Sequence, residues 1–281
     1  MEHQTIRAEP FFLKTRLGER FCLYYRSNSE KILGTFIYIH PFAEEMNKSR
    51  RMVAQQSKVF AENGYSVLQI DLYGCGDSSG EFKNASWEIW KQDIFHALNW
   101  VKHQGSAPIN LWGMRLGSLL ALNTAIEAQE PFQHIVLWNP IINGNIFLTQ
   151  FLRLKVASQL KESNTNEGSR TRQLRKKIMD GETLEIAGYE ISPALALAID
   201  KLELNEFKSL NAKIHWFEVV PDVGRTLSPA GTAVVNAWKQ QNIDINLQFV
   251  LGPTFWATQE ITECAELIAL TTRQFSNKAQ L

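Results

Sequence analysis

The chain has 281 residues, 44% of them hydrophobic and 21% charged, with 29 lysines plus arginines against 29 aspartates plus glutamates. A chain of this length buries roughly 75% of its unfolded surface, so a sizeable core is available and the composition is that of a globular protein. Balanced charge argues against general nucleic-acid binding, and no apolar run reaches the roughly 18 residues of a membrane span.

Cys22, Cys75 and Cys264 stand singly, without CxxC pairing. Neither a zinc knuckle nor a disulfide framework is indicated; a reducing, cytoplasmic setting is expected. The first residues lack a basic segment followed by an apolar stretch, so no signal peptide is expected.

In chain order, dense β-branched and aromatic runs predict strands at Phe21 to Tyr25, Gly34 to Ile39, Ser66 to Ile70, Ile109 to Trp112, Ile135 to Trp138, Ile214 to Val220 and Ile245 to Val250. Most are separated by stretches long enough for helices, the pattern of a mostly parallel α/β sheet covered on both faces. Trp87, Trp90, Ile94, Ala97 and Val101 repeat at three- and four-residue steps and predict a helix, capped by Ser86. These tryptophans are read as core.

The segment from Asn145 to about Leu210 contains no convincing strand. An amphipathic stretch from Phe147 to Leu160 leads to a polar loop, and Arg153, Lys155, Lys161, Arg170, Arg172, Arg175, Lys176 and Lys177 face only Glu162 and Glu167 as acidic residues. The segment reads as an inserted helical lid with a positive surface, either a solvated face or a contact for an anionic ligand or protein partner. Helices are expected at Thr232 to Gln241 and Glu260 to Leu270.

The stretch LWGMRLGSLLAL, 111–122, holds two glycines four apart between a β-rich run and a helical one. Small residues on either side of a pivot let a helix pass close to a sheet in a cramped strand-to-helix turn, the elbow that presents a nucleophile in hydrolases. Here the pivot is Arg115. A guanidinium carries donors and no lone pair for attack, so it forms no acyl intermediate; it can hold a carboxylate, phosphate or sulfate, or steady developing negative charge. The following helix N-terminus favours an anion as well. Asp71, Glu44 and Glu45 are the candidates to compensate it internally.

Four stretches, IHPFAEEMNKSRRMVA at 39–54, LQIDLYGCGDSSGEF at 68–82, LWGMRLGSLLAL at 111–122 and GPTFWATQE at 252–260, resemble the exosortase A system-associated hydrolase 2 family of the α/β-hydrolase superfamily. The resemblance includes the arginine at the elbow. It implies an α/β-hydrolase fold over residues 1–281 with a lid inserted at about 145–208, and a link to exopolysaccharide systems without a defined substrate.

By the order of that fold a triad acid follows a late strand, where Glu218 and Asp222 stand, and a base histidine follows the last strand, where GPTFWATQE offers Trp256. An indole cannot accept a proton at neutral pH. Two triad positions thus fail independently. Ser118 lies three residues past the pivot and reads as a packing residue. Cys75, in YGCGDSSG after a strand, is a candidate thiolate with His40 as its base. His40 is also an orienting or ligand-binding candidate, or a structural histidine. HPF also resembles the histidine-glycine loop that shapes an oxyanion pocket in this superfamily, a role that would use the N–H of Phe42 together with that of Leu116.

YGCGDSSG matches neither the P-loop nor GxGxxG, and no HxH or CxxC cluster signals a metal, so no cofactor is expected. The leading expectation is a hydrolase-like protein without serine turnover, holding a small anionic or polar ligand among Arg115, His40, Asp71, Glu44, Phe42, Leu116 and Trp256. The alternatives are an active hydrolase using Cys75 or a water positioned by Glu44 or Asp71, and an interaction scaffold using the basic lid.

Overall fold

A hairpin opens the chain. The computed structural model describes residues 6–128, 130–159, 167–208 and 210–276. Strands β1 (Ala8–Thr15) and β2 (Gly18–Tyr25) pair antiparallel, Ala8 opposite Tyr25. No strand was expected over β1, whose Pro10 breaks the usual pattern; β1 lies at the sheet edge, where a missing N–H is tolerated.

The chain continues through β3 (Gly34–Ile39), α1 (Glu44–Glu62), β4 (Tyr65–Ile70), α2 (Trp87–Gln104), β5 (Ile109–Met114), α3 (Leu116–Glu127) and β6 (His134–Trp138). An insertion of α4 (Gly144–Gln159), α5 (Glu167–Met179), β7 (Leu184–Ile186), β8 (Tyr189–Ile191) and α6 (Pro193–Asp200) follows. The sheet resumes with β9 (Lys213–Val220), α7 (Pro229–Gln240), β10 (Ile245–Leu251) and α8 (Ala265–Arg273).

The eight-stranded sheet has the order β1-β2-β4-β3-β5-β6-β9-β10; from β4 to β10 every pair is parallel. This is an α/β-hydrolase fold with helical insertions resembling a lid. Alternation along the strands sends Ile37, Ile39, Leu111, Leu137 and Trp216 to one face, with α2 and α3, and Phe36, Tyr38, Trp112, Trp138 and Phe217 to the other, with α1 and α8. Parallel strands make their C-terminal ends a common rim, and ligands of open α/β sheets bind outside such ends. His40, Asp71, Arg115 and Asn139 each follow a strand at that rim.

The strand-free reading of the insertion is corrected by the β7–β8 hairpin. Three-residue strands are too short for a periodic signal, and Ala187 and Gly188 make the tight turn at φ 49° and 85°. The last helix begins at Ala265, later than the expected Glu260. Lys161 and Glu162 of the basic segment lie outside the described residues. Arg175 ties α5 to its neighbours, bonding Asp200, the Asn145 carbonyl at 3.0 Å and Thr149 Oγ1 at 2.7 Å.

Candidate functional site

The elbow between β5 and α3 is built from close backbone contact. A Cβ on Gly113 would lie 2.5 Å from Ser118 Cα, and one on Gly117 would lie 2.4 Å from the Ile39 carbonyl oxygen. Arg115 sits between them at φ 53°, ψ −119°, a sparsely populated conformation for a residue with a side chain. Its N–H donates to Trp138 O at 2.9 Å, and its carbonyl accepts from Ser118 at 3.1 Å and Ile141 at 3.3 Å. The pivot is therefore fixed on both sides.

From this turn the guanidinium enters a cleft of about 560 Å³ beneath the insertion, lined by Phe42, Glu44, Glu45, Lys48, Phe147, Phe151, Leu154, Tyr189 and Trp256 among others. Arg115 Nε donates to Glu45 Oε1 at 3.2 Å, and Nη1 reaches the Asn139 carbonyl at 3.5 Å. Its Cζ stands 5.2 Å from the centre of the Trp256 ring, within cation–π range. The side chain keeps 17% of its surface exposed. Two weakly used edges out of a five-donor fork leave it able to hold a further anion.

Of the three carboxylates considered for Arg115, the structure selects Glu45. Burial pushes its carboxyl above the ordinary range, against the charge and hydrogen bond of Arg115. Glu45 Oε2 is buried with no hydrogen-bond partner. Glu44, one residue earlier on α1, points to the mouth, where Oε2 accepts from Asn47 at 3.1 Å and Tyr189 at 3.2 Å. Asp71 is taken by Arg50 at 2.9 Å and the Asp77 N–H at 3.2 Å. A Cβ on Gly76 would strike Asp71 Oδ2 at 1.9 Å, so the glycine-rich turn is shaped around this carboxylate. Glu44 and Asp71 are thus removed as direct partners of the elbow arginine.

The Cys75–His40 pair is not assembled. His40 is 6% exposed; its Nδ1 lies 2.7 Å from the Pro41 carbonyl and its Nε2 accepts the Leu72 N–H at 3.2 Å. Both ring nitrogens are spent on backbone, and burial lowers its affinity for a proton. Burial also pushes the Cys75 thiol up, which opposes a thiolate. The two residues border a void of about 10 Å³, room for no more than a water.

Of the late acids, Asp222 is not brought in, and Glu218 stands near enough to feel the charge of Arg115 but is bonded to Trp216. Asp222 is exposed and faces Arg225 at 3.7 Å. Glu218 accepts from Trp216 Nε1 at 2.9 Å, and burial raises its carboxyl above the usual range. Trp256 does line the cleft, where the fold order places the base. Ser118 is fully buried with its hydroxyl unpartnered, away from the cleft lining. The N–H groups of Phe42 and Leu116 meet no backbone acceptor among the described residues. Among the described residues no clear Ser-His-Asp triad is present.

Lys48, Phe147, Phe151 and Tyr189 were not foreseen as cleft residues. Glu45 had a signal: it extends the buried α1 stripe of Ser49, Met52 and Gln56 backwards by one turn. Among the described residues no group of three or more His, Cys, Asp or Glu could hold a metal ion, and no helix is long and apolar enough to cross a membrane.

Comparison with known proteins adds a family. The model of the family described as serine aminopeptidase, S33, matches residues 30–187. The match ends before Glu218, Asp222 and Trp256. Human protein ABHD12B is 30% identical over 139 residues, 48% of this chain and 37% of its own length; the lysophosphatidylserine lipase ABHD12 of Xenopus tropicalis is 30% identical over 122 residues, 41% and 30% respectively. The matches thus span well under half the length of these curated relatives. Among solved structures, Est1E from Butyrivibrio proteoclasticus with bound ferulic acid superposes with a TM-score of 0.68 at 16% identity, covering 94% of this chain and 96% of that one. Mouse alpha/beta hydrolase domain-containing protein 10 gives 0.59 at 17% identity, covering 95% and 96%. At these identities the structures speak for the fold alone.

Proposed function

We propose, from the premise that the chain belongs to the serine aminopeptidase S33 family, that it is a hydrolase-like protein that binds a small anionic or polar ligand on Arg115 without serine-nucleophile turnover. One observation carries this reading: a fixed cation occupies the pivot of an intact elbow and opens onto a cleft of about 560 Å³, within the usual size range of small-molecule sites. The unbonded N–H groups of Phe42, in the cleft lining, and of Leu116, next in the chain to Arg115, are the candidate further donors. In this reading the whole chain is one domain, residues 145–208 form its roof, and the protein is cytoplasmic. The four stretches quoted above, with their elbow arginine, support membership of the exosortase-associated group and a ligand tied to exopolysaccharide systems.

The test joins binding to turnover. Purified protein should bind small carboxylates or inorganic phosphate in calorimetry, and Arg115→Gln should weaken that binding about 10- to 150-fold, as expected when hydrogen bonds to a charged group worth about 1.5–3 kcal/mol are lost. A fluorophosphonate should leave the protein unlabelled. Rapid hydrolysis of short acyl esters with an adduct trapped on a cleft side chain would overturn the reading.

A second reading, hydrolysis by a carboxylate-positioned water, is favoured by the unpartnered Oε2 of Glu45. It replaces the expected Glu44 and Asp71 by Glu45. It predicts fluorophosphonate-resistant ester turnover that disappears in Glu45→Gln.

A further inference from the structure

The Arg115–Glu45 pair makes the cleft self-neutralised: the elbow cation already has an internal anion at 3.2 Å. A ligand carboxylate arriving on the remaining guanidinium edge would set two carboxylates against one cation, and such pairs are relieved when one of them takes a proton. The geometry says where that proton can go. Oε1 accepts from Arg115, whereas Oε2 is buried and accepts nothing. Protonating Oε2 therefore breaks no hydrogen bond and removes a buried charge.

The cleft walls indicate the rest of the ligand. Phe42, Phe147, Phe151, Leu154 and Trp256 make an apolar lining around the half-buried Arg115. Phe42 packs edge-on against Phe147 and Phe151, with ring centres 5.7 and 5.0 Å apart. Such a lining wants hydrocarbon beyond the charged head. Lys48, on the same helix as Glu45, is the second cation of the lining, while Glu44 is engaged with Tyr189 at the mouth.

We propose that this site takes up an amphipathic monocarboxylate together with one proton, which Glu45 receives at Oε2 as the ligand's carboxylate joins Arg115. The ligand thus enters as the electrical equivalent of its neutral acid. This rests on the anion-binding reading above and adds its ligand class and proton coupling. The charged and titratable groups around Glu45 are Arg115 from the elbow, Lys48 and Glu44 from α1, Tyr189 from β8, and Glu218 from β9 beyond Arg115. Burial already holds the Glu45 carboxyl above its ordinary range, and the field of a second carboxylate acts in the same direction.

The experiment is calorimetric titration of the full chain with decanoate, in buffers of different ionisation enthalpy, from about pH 6 to 9. Proton uptake should approach one per decanoate at its maximum, and affinity should fall by up to about tenfold per pH unit on the alkaline side of that maximum. Glu45→Gln, a neutral isostere of the protonated side chain, should bind decanoate with no uptake and no pH slope. Decanol and decylamine should bind far more weakly than decanoate. Inorganic phosphate binding as tightly as decanoate would refute the amphipathic class. Decanoate binding with no proton uptake anywhere in the range would overturn the coupling and leave anion binding standing. Absence of binding by decanoate and phosphate to both the native protein and Glu45→Gln would overturn the anion-binding reading as well.

Discussion

Replacing His215 by phenylalanine should remove an acid-labile element from the sheet. His215, on β9, is 2% exposed; its Nε2 lies 3.1 Å from His134 Nδ1 on β6, and its own Nδ1 is buried without a partner. Burial, then the neighbouring His134 and Lys213, push its pKa down to about 3. The native state thus refuses a proton that the unfolded chain accepts at an ordinary histidine pKa near 6.5. For a depressed histidine the stability contribution is full above the unfolded pKa and is lost as pH falls toward the folded one. Each pH unit inside that window is worth at most about 1.4 kcal/mol, so acidification from about pH 7.5 to 5 should remove about 2 kcal/mol through His215 alone. Phenylalanine keeps an aromatic ring beside Phe275, now 5.0 Å from the imidazole. Urea unfolding of both proteins at matched pH isolates the effect, since the raised carboxyls of Glu45, Asp93 and Glu218 are common to both. The stability difference should shift by about 2 kcal/mol in favour of the variant across that range. Parallel pH curves would refute the reasoning.

Gly117→Ala should destabilise by at least about 1–3 kcal/mol, because the added carbon meets the backbone oxygens of Ile39 and His40 at 2.4 and 2.5 Å; an unchanged melting temperature would contradict the elbow packing. Asp93→Ala strips the partner from Arg20, paired at 2.6 Å with side chains 1% and 2% exposed. Its expected cost in chemical denaturation is about 3–5 kcal/mol. Arg115→Ser alone should stay unreactive toward a fluorophosphonate, since no histidine lines the cleft. Pairing it with Trp256→His should restore labelling, read by mass spectrometry at the introduced serine.

Much of the frame was legible because it rests on local pattern. Six of the seven expected strands agree with the structure to within two residues, Phe21 to Tyr25 begins three late, and Ser86 does cap α2, accepting the Ile89 N–H at 3.2 Å. The elbow could be read from Gly113 and Gly117 because a collision with backbone permits nothing larger. The partner of Arg115 could not. Glu44 and Glu45 are adjacent in sequence but a helical residue step apart in direction, and which one faces inward depends on α1 starting after Ala43 at φ 52°. Asp71 looked free at the rim; only the fold brings Arg50 to it. His40 was open between a base, a ligand-binding and a structural histidine; its two backbone partners, Pro41 and Leu72, include one from the next strand's exit, which only the fold supplies.

An arginine side chain usually earns its versatility by reach and swing. Here its root is clamped by Trp138, Ser118 and Ile141, and its Cζ stands 5.2 Å from the centre of an indole ring. The positive centre is thereby anchored at one end of its side chain, in a cleft whose lining includes Phe147 and Phe151.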